Sequence, residues 1–145
     1  GAPDQLQILY GIAGERRLTE VELPWLTGYE DSAPVRIGNL ASEQMQLDVY
    51  GEVLATLYLA RKSGLDGAGG WALERQLLLH LEKAWREPDS GIWEVRGPKR
   101  HFVHSKVMAW VALARGLRLA HEYALPAPVA GAAGAAGDEE DPAHA

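Results

Sequence analysis

The chain has 145 residues, enough for one domain with a buried core. Hydrophobic residues make up 47% and charged residues 23%, a globular balance that excludes a disordered chain. Fourteen Lys and Arg against twenty Asp and Glu leave a formal charge of −6, without the basic surface that a nucleic-acid partner requires.

No apolar run is long enough to span a bilayer, and "GAPDQLQILYG" has neither the basic start nor the apolar core of a signal peptide. There is no cysteine, so disulfides and thiolate chemistry are excluded, which fits the expected cytoplasmic location.

Residues 1–41 mix Gly and Pro with short apolar pieces. "LQILY" and "LTEVEL" predict a hairpin around the turn "GIAGER". "LPWLTGYEDSAPVRIGN" then predicts an ordered loop, because Pro24, Pro34, Gly28 and Gly38 prevent a long helix.

From Ser42, an expected N-cap, the pattern becomes helical. Tyr50, Val53, Leu54, Leu57 and Tyr58 follow i, i+3, i+4 spacing until "SGLDGAGG". A second helix is expected over about 71–86, with Leu77, Leu78, Leu81, Ala84 and Trp85 on one face and Pro88 as its stop. The third is expected over about 105–123. Its "VMAWVALARGLRLA" is apolar nearly all round at first, which predicts burial on several sides. The tail "PAPVAGAAGAAGDEEDPAHA" cannot form a packed core, so residues 127–145 are expected to be disordered and residues 1–126 to form the folded part.

The chemistry concentrates in "DSGIWEVRGPKRHFVHSK". A glutamate beside an indole, as Glu94 is beside Trp93, is either a solvated loop carboxylate or a partly desolvated general acid. Arg96, Lys99 and Arg100 act against retention of its proton. His101 and His104 stand three apart, yet a metal site needs a third ligand, and none has suitable spacing. "GAGG" lacks the Lys-Ser/Thr ending of a phosphate loop. Trp71, Trp85 and Trp110 lie on helical faces and are expected in the core. Trp25 and Trp93 lie in loops, as sugar platforms or as lids.

Two stretches carry a family resemblance. "GYEDSAPVRIGNLASEQMQLDVYGEV" and "DSGIWEVRGPKRHFVHSKVMAWVAL" closely resemble the bacterial branch of glycoside hydrolase family 15, which includes glucoamylases, glucodextranases and trehalases. The resemblance covers about residues 3–126. It implies a mainly α fold, part of an (α/α)6 toroid, after a short β and loop segment. It also implies inverting hydrolysis of an α-glucoside, a carbohydrate partner, and no metal or organic cofactor. Glu94 matches the general acid. Trp93 and Arg96 match residues lining the glucose site, Arg36 and Asn39 fall in a loop that reaches substrate, and His104 and Lys106 lie at the mouth of the next helix.

The family's general base lies downstream, so this chain is expected to be an internal fragment carrying the acid without its base. Glu30, Asp31, Asp48 and Glu52 are local carboxylates to weigh as substitutes; for Asp48 and Glu52, at i, i+4 spacing, a supporting role in the loop or helix competes. "HFVHSKVMAW" looks most like the trehalase-type members, with maltooligosaccharide as the second substrate. The competing reading is a noncatalytic helical module that binds sugar or a protein partner, and self-association through exposed apolar helix faces is expected.

Overall fold

The computed structural model describes residues 2–65 and 70–126, so the expected disordered tail and most of the "GAGG" connector lie outside the described residues. Three long helices dominate: α1 (Asp48–Lys62), α2 (Gly70–Ala84) and α3 (Val103–Glu122). Ahead of them lie single 3-10 turns at Pro3–Gln5, Tyr29–Asp31 and Leu40–Glu43, and two short strands, β1 (Val21–Glu22) and β2 (Arg36–Ile37).

The expected hairpin does not form. Its turn does, with Gly11 N donating to Glu15 O at 2.8 Å and Gly14 at φ +87°. Its flanks are held otherwise: the Gln7 amide donates to Arg16 O and Ser42 O, both at 2.8 Å. "LQILY" is therefore no strand. The Val21–Glu22 part of "LTEVEL" instead pairs antiparallel with β2, Val21 opposite Ile37 and Glu22 opposite Arg36. Gly38 (φ +77°) allows that return, because a Cβ there would lie 2.0 Å from the Thr19 carbonyl oxygen.

Ser42 does not cap α1. Asn39 caps the preceding 3-10 turn by accepting from Ala41 N at 2.9 Å, and Gln44 (ψ +141°) interrupts the helical path. At the start of α1, Leu47 N donates to Asp89 Oδ2 at 2.9 Å, which satisfies an amide next to the first turn. The C-terminus of α1 closes through Gly64 (φ +74°), with Leu65 N returning to Ala60 O at 2.9 Å.

Leu47, which caps α1, and Tyr50 and Leu54 on its inner face pack with Leu77, Leu78, Leu81 and Ala84 of α2 and with Ala109 and Ala112 of α3. The inward face of α3 consists of small residues, Ser105, Ala109, Ala112 and Gly116, followed by Leu119. That face lets α1 approach closely: a Cβ on Gly51 would lie 2.5 Å from the Met108 carbonyl oxygen. Burial of small residues also decides where the bulky ones go. Trp110, expected in the core, is 68% exposed, because Ala109 takes the inward position beside it. Trp71 and Trp85 are half-buried against the core. α3 begins at Val103, two residues before the expected start, after the extended Phe102.

Between α1 and α2, Glu74 is buried and accepts from Arg61 Nη2 at 2.8 Å. No helix among the described residues is long and apolar enough to cross a membrane.

Candidate functional site

The segment that carries Glu94 leaves the scaffold at Asp89 and returns at Arg100. The two exchange main-chain hydrogen bonds, Asp89 N to Arg100 O and Arg100 N to Asp89 O, each 2.9 Å. Asp89 is wholly buried, with its carboxylate on Leu47 N, and Ser90 N donates to Met45 O at 3.0 Å. The base of the loop is thus fastened to the start of α1. Within the loop, Gly91 sits at φ +67° against the Phe102 ring, which a Cβ would meet at 2.8 Å. Glu94 itself has φ +51°, a left-handed conformation that costs a non-glycine residue about 1 kcal/mol. Its amide closes the turn onto Gly91 O at 3.3 Å.

Glu94 lines an open groove of about 570 Å³ together with Asn39, Glu43, Gln44, Arg96 and Lys99. Among the residues predicted for the site, the groove therefore brings together Glu94, Arg96 and Asn39. Asn39 has its side-chain oxygen on Ala41 N. Trp93 is 84% exposed and does not line the groove, and Trp25 is 73% exposed, so neither is a lid over the described core.

The other predicted site residues are engaged elsewhere. Arg36 donates to Glu22 at 2.7 Å and lies 3.2 Å from Glu20. The Lys106 ammonium donates to the carbonyls of Trp85 and Glu87, at 2.6 and 2.7 Å, just past the C-terminus of α2, where a cation complements the helix dipole. His104 lies 3.9 Å from the buried carboxylate of Asp48. Burial pushes the Asp48 carboxyl up, and His104 acts against that rise. Among the described residues, no three His, Cys, Asp or Glu side chains gather as a metal-ligand set.

Two residues of this region escaped the sequence reading. Glu43 is a second carboxylate on the groove wall, whereas Glu30, Asp31, Asp48 and Glu52, the carboxylates weighed as substitute bases, do not line it. Glu20 holds the groove's arginine: Arg96 donates to both of its oxygens, at 2.9 and 2.7 Å. Those hydrogen bonds, helped by the Leu40 amide and the Arg36 charge and opposed by burial, lower the Glu20 pKa to about 2. Glu20 precedes β1 and the strand register sets Glu22, not Glu20, opposite Arg36, so no local sequence pattern points to it.

The sequence pattern of Glycosyl hydrolases family 15 matches residues 2–135. A trehalase of Mycobacterium tuberculosis is 50% identical over 116 residues, 79% of this chain and 17% of that protein. A trehalase of Mycolicibacterium smegmatis is 48% identical over 121 residues, 83% of this chain and 18% of that protein. Trehalase 1 of Sulfolobus acidocaldarius is 41% identical over 113 residues, 76% of this chain and 20% of that protein. The chain spans about a fifth of the length of these curated relatives. No solved structure gives a significant match.

Proposed function

The chain belongs to glycosyl hydrolases family 15, and from that premise we propose that it carries the general-acid half of an inverting α-glucosidase site within part of an (α/α)6 toroid. Trehalose is the first substrate and maltooligosaccharide the second. The observation that carries the reading is the groove in which Glu94 and Arg96, on a loop fastened at both ends, meet Asn39.

Hydrolysis with inversion protonates the departing glycosidic oxygen while a second carboxylate deprotonates water on the opposite face, with the two carboxyl groups about 6.5–9.5 Å apart. Glu94 supplies the proton. Arg96 and Asn39 bind sugar hydroxyls, and the exposed Trp93 on the same loop is available to a longer sugar beyond the groove. Arg36, His104 and Lys106 are engaged away from the groove and enter this reading only through the family resemblance of their stretches. The general base is contributed by residues outside this groove, so the isolated chain does not turn over.

The test is an NMR titration of the purified chain with trehalose and with maltose, alongside an assay for released glucose. Shifts at Glu94, Arg96 and Asn39 without glucose release are expected. Absence of shifts with either sugar would sink the reading. Turnover that Glu94→Gln abolishes would keep the acid and overturn the half-site, and Glu43→Gln would then identify the base.

A second reading, association through an apolar helix face, is favoured by the exposure of Val103, Val107, Trp110 and Leu117 on α3.

A further inference from the structure

Two separate stretches of the chain, residues 36–40 and the loop at Arg96, converge on the Glu20 carboxylate. Arg96 donates from Nη1 to Oε1 at 2.9 Å and from Nη2 to Oε2 at 2.7 Å. Arg36 Nε lies 3.2 Å from Oε1, and Leu40 N donates to Oε2 at 3.3 Å. A carboxylate has about four lone-pair sites; three here accept hydrogen bonds and the Arg36 charge stands beside the fourth, so little capacity is left for a ligand. The side chain is 13% exposed, and Glu20 does not line the groove that Arg96 and Leu40 line.

We propose that Glu20 is the positioning residue of the sugar groove: it binds no sugar, and ties the Arg96 guanidinium of the Glu94 loop to the Leu40 main chain, both of which line the groove. The inference rests on the sugar-binding reading of that groove. The bidentate contact sets the plane of the guanidinium as well as its place, which a single hydrogen bond does not. Two of the five N–H donors of Arg96 are committed to Glu20, and the others are left for hydroxyl groups. An arginine held in this way loses less freedom when sugar arrives than one free in solvent, so the gain is in affinity.

The test compares the full chain with its Glu20→Gln, Glu20→Asp and Arg96→Lys variants, by amide hydrogen exchange and by trehalose titration. Glu20→Gln is expected to speed exchange at residues 94–97 and to weaken trehalose binding about ten- to a hundredfold, the range of a lost charged hydrogen bond. Exchange in the α1 and α3 core stays unchanged. Glu20→Asp, with its charge retained, recovers part of the affinity. Arg96→Lys removes the two-pronged contact while leaving Glu20 in place, and is expected to loosen the same loop should Glu20→Gln fail to fold.

Unchanged exchange at residues 94–97 in the variants overturns the proposal, as does equal acceleration of loop and core, which marks a purely structural role. If the unmodified chain binds no trehalose, the functional reading fails, and the exchange measurement still decides whether Glu20 fixes the loop.

Discussion

Glu20 and Asp48 pull the stability of this chain in opposite directions as pH changes. The Glu20 pKa falls from 4.5 to about 2 on folding, chiefly through the Arg96 hydrogen bonds. A lowered carboxyl stabilises the fold fully above its unfolded pKa, and the contribution is lost as pH drops toward the folded one. Urea midpoints of the unmodified chain and Glu20→Gln should therefore differ by a constant amount above pH 4.5 and converge as pH approaches about 2. Asp48 shows the reverse: burial raises its carboxyl above 3.8, so folding favours the protonated form and stability declines as pH rises past that value. Asp48→Asn should flatten that decline in the same titration. That Glu94, Arg96 and Asn39 line one groove agrees with their place in contiguous motifs. Glu20 was not legible in the sequence, since its partners Leu40 and Arg96 lie 20 and 76 residues away and neither spacing has a local pattern.

The helices follow the apolar periodicity, and their errors have local causes. The stripes Leu54–Tyr58 and Leu77–Leu81 predicted α1 and α2 because large side chains mark the buried face. α3 misled because its buried face is made of Ser, Ala and Gly, which leaves Val and Trp outside. The predicted hairpin failed because its second strand pairs with residues 35–39 instead, Leu23 N donating to Val35 O and Asn39 N to Leu18 O. Close approach of α1 and α3 makes a sharp prediction. Gly to Ala inside a helix ordinarily gains about 1 kcal/mol. At Gly51 the new methyl would meet the Met108 main-chain oxygen at 2.5 Å, so Gly51→Ala should instead destabilise by about 1–3 kcal/mol in urea denaturation. The buried pair between α1 and α2 gives another: Arg61→Met strands the Glu74 charge, and a loss of about 3–5 kcal/mol is expected by the same measurement.

For the molecule as a whole, the exposed apolar residues on α3 are a testable feature. Val103 at 82% and Trp110 at 68% exposure stand with Val107 on one side of α3, beside an apolar groove of about 390 Å³. Light scattering should show association, and Trp110→Glu should shift it toward monomer; a monodisperse unmodified chain would contradict this. The helical class and the family were legible from the sequence, because the motif stretches span much of residues 3–126, whereas closure of a toroid involves relations among more helices than the described residues contain. The clasp between Asp89 and Arg100 has an engineering consequence. A segment that departs and returns through one paired doorway is exchangeable: a relative's residues 90–99 that keep an arginine for Glu20 should graft without re-registering the helices, like a cartridge in a fixed socket.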